Sequence, residues 1–139
     1  MPSLFVEIVA PDRRVFQGEA QSVRAPGVEG SFEVLPRHAP MIAAFDVGPI
    51  YVTTPGGDRI TFATSGGFLE VLNNTVTVLA ETAEPASEID IDRARASEQR
   101  ALERLREASD SVERQNAERM LERARNRARI AMGQVGTRK

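Results

Sequence analysis

The arginines near the C-terminus are the residues whose type and spacing most clearly suggest chemistry. Between positions 114 and 139 there are eight basic residues, and only Glu118 and Glu122 oppose them, so this segment carries a net charge of +6. A guanidinium group is permanently charged, and its planar fork of donors fits carboxylates and phosphates. The segment therefore forms either a solvated helix face or a docking surface for an acidic partner. Nucleic acid is a weaker candidate, because no aromatic residue in this segment can stack on bases.

Residues suited to catalysis or metal binding are scarce. The chain has no cysteine and a single histidine, His38, which excludes thiolate chemistry and a multi-histidine metal site. Ser65 is followed by Gly66 and Gly67, but the flanks of a G-x-S-x-G nucleophile turn are missing. We expect these glycines to allow a close backbone approach at a strand start. The sequence predicts a protein that is not an enzyme and holds no metal.

The elements that position these residues fall into two segments of different character. The 139 residues carry 18 basic and 20 acidic side chains, and the net charge of −2 argues against a protein that binds nucleic acid through bulk charge. Every proline and every aromatic residue lies within the first 85 positions. Residues 1–86 have a net charge of −5, whereas residues 87–139 have a net charge of +3. We therefore predict two domains, 1–86 and 87–139.

The first segment has the pattern of short strands separated by turns. Residues 4–9 alternate with the period of two that is typical of strands. Turn signals include Pro55-Gly56-Gly57-Asp58 and Asn73-Asn74. Short strands at roughly 8–12-residue spacing, with no helical pattern between them, predict an antiparallel β-sandwich or barrel, and we expect its phenylalanines and valines to form the core. The further predicted strands are 21–25, 32–35, 50–53, 59–63, 68–72 and 75–79.

The second segment predicts two helices joined by a short polar link. Residues 87–108 contain neither proline nor glycine and are rich in helix formers. Ser87-x-x-Asp90 fits a capping pattern for this first helix. The link is expected at Ser109-Asp110-Ser111, and a second helix is predicted over residues 113–132, ended by Gly133 and Gly136. This order predicts an antiparallel helical hairpin.

The apolar positions of both helices form a narrow stripe of mostly small residues. Small residues bury little area, and burial contributes only about 25 cal/mol per Å². We therefore expect a weakly held and mobile hairpin. The stripe comprises Ile91, Ala94, Ala101, Leu105, Ala108 and Val112 in the first helix, and Ala117, Met120, Leu121, Ala124, Ala128 and Ala131 in the second.

Four short sequence motifs follow one another along the chain, and their ordered combination is much more specific for one family than any single motif. Residues 30–40 resemble the G-x-x-G-x-L-P-x-H-A-P loop of the epsilon subunits of rotary F-type ATP synthases, with Glu33 where that loop usually has glycine. Residues 65–71 resemble the S-G-G-x-x-E-V segment of the family, and residues 74–80 resemble its last strand. Residues 89–94 are similar to the I-D-x-x-R-A motif at the start of its first helix. The resemblance covers essentially the whole chain.

The resemblance implies a fold and a place in a larger complex. The implied fold is a β-sandwich of about ten strands followed by a two-helix hairpin. The implied place is the central stalk, in which the sandwich contacts the gamma subunit and, through Glu29, Ser31 and His38, the membrane-embedded c-ring. The hairpin either folds against the sandwich or extends along gamma toward the alpha and beta subunits, and the extended form blocks ATP hydrolysis.

The resemblance also sets expectations for docking, cofactors and location. The subunit is not itself an enzyme, requires no cofactor and meets the membrane only through the complex. Its expected location is the cytoplasmic face of the bacterial inner membrane, and a thylakoid location stays open because chloroplast-encoded relatives share the pattern. The second helix would dock on an acidic segment of the beta subunit through Arg119, Arg123, Arg125, Arg127 and Arg129.

In some bacterial members of this family ATP binds the folded hairpin. Asp90, Arg93 and Arg100 are spaced to share one helix face. A closed hairpin would bring the guanidinium groups of Arg93 and Arg100, together with those of the second helix, toward a polyphosphate. The carboxylates would serve the adenine and ribose. Since there is no glycine-rich phosphate loop, ATP would be sensed rather than hydrolysed. The matching positions are Glu84, Asp90, Arg93, Arg100, Arg123 and Arg127.

Simpler interpretations stay open at this stage. Asp90 can cap the helix, and Arg93 and Arg100 can be solvated or paired with helix acids. The I-D-x-x-R-A pattern also fits two residues later, from Ile91 to Ala96. The alternative function is a stand-alone β-sandwich binding module whose basic helical tail docks an acidic protein or nucleic acid.

Overall fold

The computed structural model describes the backbone of residues 2–136 and the side chains of residues 2–133. Of the basic residues counted above, Arg138 and Lys139 lie outside the described residues. The chain divides into two compact units, Met1–Pro85 and Ala86–Lys139. None of the described helices is long and apolar enough to cross a bilayer.

The first unit consists of β-strands that form one continuous ladder. The ladder order is β2-β1-β7-β6-β5-β3-β4, and β8 pairs with β6. All neighbouring pairs are antiparallel except β1 and β7, which are parallel, so the expectation of a wholly antiparallel sandwich is wrong at this one pair. The strands are β1 (Leu4–Ala10), β2 (Arg13–Ala20), β3 (Ser22–Gly27), β4 (Gly30–Val34), β5 (Met41–Thr53), β6 (Arg59–Leu72), β7 (Thr75–Ala80) and β8 (Ala83–Pro85).

The ladder folds over itself into a sandwich. Phe16 on β2 meets Phe62 on β6 edge to face, with ring centroids 5.5 Å apart. Two strands lie between β2 and β6 in the ladder, and neighbouring strands are about 4.8 Å apart, so a flat sheet would keep these rings far from each other. The buried side chains between the two layers include Leu4, Ile8 and Ile50. The predicted β-sandwich is thereby confirmed.

The strand count is eight in the described residues rather than about ten, because β5 and β6 are long. Their pairing runs from Met41 opposite Val71 to Thr53 opposite Arg59 and lapses only at Asp46 and Gly66. Gly66 has a φ of 103°, a backbone conformation that residues with a Cβ rarely adopt. The long hairpin therefore changes direction at this point, and each of its strands supplies a segment to both layers.

The second unit is the predicted helical hairpin, with different helix boundaries. A 3₁₀ turn (Ala86–Glu88) precedes α1 (Ile91–Glu107), and α2 (Ser111–Gly136) follows after a short link. The prediction of Ser87 in the capping position is wrong, because the Asp90 side chain accepts a hydrogen bond from the Arg93 backbone N–H instead. Of the two glycines predicted to end the second helix, Gly133 lies within α2, and the helix continues to Gly136.

The start of α2 is fixed by its own side chains. Asp110 accepts a hydrogen bond from the Glu113 backbone N–H at 2.8 Å. The Glu113 carboxylate in turn accepts from the backbone N–H and the hydroxyl of Ser109, at 2.8 and 2.9 Å. This reciprocal arrangement is a variant of the capping box and satisfies donors that a helix start leaves without partners.

Candidate functional site

Three side-chain contacts set the register between α1 and α2. Glu98 and Arg125 form a salt bridge at 3.2 Å between Oε2 and Nε. Arg95 Nη2 lies 2.9 Å from the sulfur of Met132, and Arg104 Nη1 lies 4.0 Å from the sulfur of Met120. From Arg95 to Arg104 the residue number increases along α1, while the number of the partner on α2 decreases from Met132 to Met120. This is the order expected for antiparallel helices. Around Glu98, this register places Arg100 of α1 at the level of Arg123 of α2.

The interior of the hairpin is built from alanine. Ala94 and Ala101 are the buried residues of α1. On α2 the predicted stripe is buried at every position except Met120. Val112, predicted as the last stripe position of the first helix, lies on α2 instead and is exposed. The buried residues of that stripe on α2 are Ala117, Leu121, Ala124, Ala128 and Ala131. Short side chains let the two helices approach closely and bury little area.

The four candidate nucleotide-binding arginines of the hairpin lie on one flank of this interior. Each of them comes one residue before a buried alanine: Arg93 before Ala94, Arg100 before Ala101, Arg123 before Ala124 and Arg127 before Ala128. Since the helices run in opposite directions, residues that precede interior positions lie on the same side of both helices. The register places all four within about 10 Å along the hairpin axis. The structure thus brings these arginines to a common surface.

The remaining candidate residues have further structural roles or lie elsewhere. Asp90 caps α1, as the simpler interpretation required. Arg100 donates a hydrogen bond to the Ser97 hydroxyl at 3.0 Å, so its guanidinium is held on the α1 surface. Glu84 belongs to the other unit, where it lies on β8 opposite Ala63 of β6. The described residues include no cluster of three or more potential metal ligands.

The predicted beta-subunit docking residues all lie on α2. Arg119, Arg123, Arg125 and Arg129 are exposed, and Arg127 is partly buried. Arg125 reaches α1 through the salt bridge with Glu98. In the folded hairpin this residue is therefore engaged within the unit, and docking through Arg125 requires that salt bridge to open.

The predicted c-ring contact residues lie on and after the β3–β4 turn. Glu29 is exposed in the turn, and the Ser31 hydroxyl donates to the Ala25 carbonyl at 3.4 Å. His38 is partly buried, and its Nδ1 lies 2.7 Å from the Ala39 carbonyl oxygen. Glu33, the departure from the family loop, lies in regular register opposite Arg24 on β3, so it does not disturb the strand.

The loop that carries His38 is tied to the sheet by one asparagine. The Asn74 side chain accepts a hydrogen bond from the Arg37 backbone N–H at 2.8 Å and donates to the Ser3 carbonyl at 2.7 Å. Asn74 itself has a φ of 61° in the β6–β7 turn, a conformation that asparagine tolerates. The turn thereby joins the loop to the start of β1.

Sequence reasoning missed an apolar patch on the outer face of the sandwich. Phe68 was expected in the core as a strand phenylalanine, and this expectation is wrong, because the side chain is 58% exposed. Ile42, which lay outside the predicted strands, is 73% exposed. Phe68 lies directly opposite Leu79 on β7, and Ala44 lies opposite Phe68 on β5. Single exposed apolar residues are ordinary, but a contiguous group marks an interaction surface. We define the outer apolar face as Phe5, Ile42, Phe68, Leu72 and Leu79, all of them exposed.

A cleft of about 570 Å³ adjoins the outer apolar face. The β3–β4 turn, with Val28 and Glu29, forms one wall, and Met41 to Ala44 of β5 form the other. Ile42 belongs to both the cleft and the outer apolar face. The two features therefore form one continuous surface next to the predicted c-ring contact residues.

Comparison with known proteins matches both units. The family model of the ATP synthase delta/epsilon chain β-sandwich domain matches residues 3–86, and that of its long α-helix domain matches residues 87–132. The ATP synthase epsilon chain of Salinibacter ruber is 60% identical over 143 residues, covering 97% of this chain and 96% of its own. That of Nitratidesulfovibrio vulgaris (strain DP4) is 46% identical over 128 residues, covering 92% and 95%.

A solved structure shares the fold. One chain in the cryo-EM structure of the Euglena gracilis mitochondrial ATP synthase, described as OSCP/F1/c-ring in rotational state 1, aligns with a TM-score of 0.79. The alignment covers 91% of this chain and 79% of that chain at 22% sequence identity. At this identity the likeness concerns the arrangement of strands and helices.

Proposed function

Because the chain belongs to the family of ATP synthase delta/epsilon chains, we propose that it couples rotation to ATP synthesis in the central stalk and restrains ATP hydrolysis through its hairpin. It is a non-catalytic subunit of the rotary complex, and membership of the family removes the alternative of a stand-alone binding module. The observation that carries the stalk role is the outer apolar face. The complex lies at the cytoplasmic face of the bacterial inner membrane, and this chain meets the membrane only through it.

The outer apolar face docks on the gamma subunit. Its five exposed side chains include two phenylalanines, and aromatic residues are enriched in the buried centres of protein interfaces. Substitution Phe68→Glu replaces an aromatic ring of the face by a second carboxylate beside Glu70, which lies on the same face of β6, while the strand keeps its register because the side chain points away from the core. We expect this variant to lose co-purification with gamma. Val112→Glu, at an exposed apolar position of the hairpin, is the matched control and retains gamma. Equal retention by both variants would overturn the docking assignment.

The β3–β4 turn and the adjoining cleft face the c-ring. Glu29 and Ser31 lie at the rim of the cleft, where a polar loop of a c subunit would find both a carboxylate and a hydroxyl. A cysteine at Glu29 is expected to form a disulfide with a cysteine in the c-ring loop when gamma is present. A cysteine at Asp58, on the exposed β5–β6 turn, is the control that stays unlinked. Cross-linking of both positions, or of neither, would argue against the assignment.

The hairpin restrains hydrolysis by exchanging its folded state for an extended one. The interior of the hairpin is made of alanines, so the two states need differ by only a few kcal/mol for a ligand to shift their populations. In the extended state the arginines of α2 dock on an acidic segment of the beta subunit. ATPase activity of the reconstituted complex, with and without residues 87–139, tests this role. Removal is expected to raise hydrolysis and to leave gamma binding intact.

ATP favours the folded state by binding the arginine flank. Arg93, Arg100, Arg123 and Arg127 share one side of the hairpin, which supports convergence of their guanidinium groups on a polyphosphate. Calorimetry with ATP on the isolated chain is expected to show binding at millimolar ATP or below, and Arg93→Ala to weaken it. Arg106→Ala removes an exposed arginine elsewhere on α1 and serves as the control. Absence of heat at millimolar ATP, or equal binding by all three proteins, would refute ATP sensing.

A further inference from the structure

Two arginines of α1 contact a methionine of α2 where a carboxylate would be the usual partner. Arg95 meets the sulfur of Met132 at 2.9 Å, and Arg104 meets that of Met120 at 4.0 Å. Within residues 2–133, neither arginine has a carboxylate in ion-pair distance. A thioether sulfur is a weak acceptor, so each guanidinium is poorly satisfied by its contact across the hairpin.

Both methionines are open to solvent. Met120 is 37% exposed and Met132 is 40% exposed. Met41, by comparison, is only partly buried but packs against the core of the sandwich. The hairpin methionines can therefore be reached by a small oxidant without unfolding of either unit.

We propose that Met120 and Met132 are oxidation sites whose sulfoxides strengthen the contact between the two helices. Hydrogen peroxide transfers one oxygen atom to the thioether sulfur, which is oxidised, and the peroxide is reduced to water. The sulfoxide oxygen is a strong hydrogen-bond acceptor that lies one bond beyond the sulfur. It accepts from the guanidinium of Arg95 or Arg104, and a weak contact becomes a charge-assisted hydrogen bond.

The surroundings of Met120 leave space for the added oxygen. Met120 lines a cleft of about 330 Å³ at the turn end of the hairpin, together with Arg104 and Asn116. Methionine oxidation usually disrupts apolar cores, because it places a polar group among them. Here the sulfur lies at an exposed edge beside a cation, so oxidation adds a partner and disrupts no apolar packing. The expected effect on the hairpin is therefore stabilising.

Hydrogen exchange of the full chain before and after treatment with hydrogen peroxide tests the proposal. Mass spectrometry first verifies the gain of one oxygen atom at Met120 and at Met132. Amide exchange within residues 91–133 is then expected to slow by about three- to tenfold, as one hydrogen bond of ordinary net strength at a solvent-exposed site implies. Faster or unchanged exchange in the verified sulfoxide protein would overturn the proposal.

Two sets of variants separate the proposed contact from general effects of oxidation. The double variant Met120→Leu, Met132→Leu keeps the shape of both side chains and is expected to show no response, whereas Met41→Leu is expected to respond like the natural chain. In the double variant Arg95→Gln, Arg104→Gln both methionines still oxidise, but the slowing is expected to vanish. A response that persists in either double variant would refute the role of these Arg–Met pairs.

Discussion

The two units of this chain bury very different side chains. The sandwich encloses large residues such as Phe62, Leu4 and Ile50, which are almost inaccessible to solvent. The helices bury six alanines together with two larger residues, Leu121 and Asn126. Burial of a leucine or phenylalanine contributes about 1.5–3 kcal/mol, and a methyl group contributes far less. The interior of the sandwich therefore contributes more to stability than that of the hairpin, and we expect the hairpin to open more easily than the sandwich.

The sharpest way to break this contrast is to damage the core of the sandwich. Phe62→Ala removes a ring that meets Phe16 at 5.5 Å and leaves a cavity. We expect a loss of about 3–5 kcal/mol in the free energy of unfolding, measured by urea denaturation. Leu121→Ala in the hairpin should leave the main unfolding transition of the sandwich in place. Equal losses from both substitutions would show that the units unfold as one.

The second test enlarges a residue in the interior of the hairpin. Ala101 is buried on α1, and Ala101→Leu adds three carbon atoms where helices are closely packed. Overpacking of this kind costs about 1–3 kcal/mol, so the helices are expected to separate and their amides to exchange faster. Ala96→Leu, at an exposed position of the same helix, is the control. Uniformly strong protection of residues 88–132 in the natural chain would contradict the prediction of a mobile hairpin.

A third and smaller effect is expected from the start of α2. Asp110→Ala removes the hydrogen bond from the Glu113 backbone N–H, and loss of a cap costs about 1 kcal/mol. Helicity measured by circular dichroism should fall while the sandwich transition is unchanged. Asp110→Asn keeps an acceptor in place and should restore most of the loss. Failure of asparagine to restore it would mean that the charge of Asp110 matters more than the hydrogen bond.

The smallest effect is expected from the salt bridge across the hairpin. Glu98→Gln removes the charge that faces Arg125 at 3.2 Å. Since both side chains are partly exposed, the pair is worth only about 0.2–1 kcal/mol, and salt screens it. Amide hydrogen exchange in α1 and α2 should be slightly faster in this variant than in the natural chain at low salt, and equal in the two proteins at high salt. A large effect that persists at high salt would make this pair a principal support of the hairpin.

The two units also differed in how far their sequences predicted them. Helix-forming residues and capping residues predicted α1 and α2, although the N-cap of α1 is Asp90 and not Ser87. In the sandwich, β2 went unpredicted, because its residues 13–20 are mostly partly or fully exposed and carry no clear alternation of apolar and polar types. The part of β5 before residue 50 was not predicted, because Gly48 and Pro49 are residue types that usually mark turns. Interruption by such residues is tolerated here because the strand changes layer nearby.

The outer apolar face could not be assigned from the sequence for a different reason. Phe68 and Leu72 alternate with the buried Leu69 and Val71, so both faces of the strand carry apolar residues. A period of two distinguishes the faces only when one of them is polar. Glu70 is the single polar residue on the face of Phe68 and Leu72, and the register with β5 and β7 shows how far the apolar residues of that face extend. For the arginine flank the opposite holds: the spacing predicted which residues share a face, and the register of the hairpin then brought the two helices' sets to one side.

The Asn74 bridge has a mechanical consequence. Its side chain joins the loop before β5, through the Arg37 backbone, to the chain just before β1, and β1 pairs with β7 along its length. A force on that loop is therefore shared by β5, β1 and β7, because the Asn74 hydrogen bonds connect the loop to the start of β1 and β1 pairs with β7. For a part that turns against its neighbours, such a link would reduce elastic give between the driven loop and the body that carries it. Asn74→Gly would remove both side-chain hydrogen bonds and make the loop easier to displace, without changing any side chain of the outer apolar face.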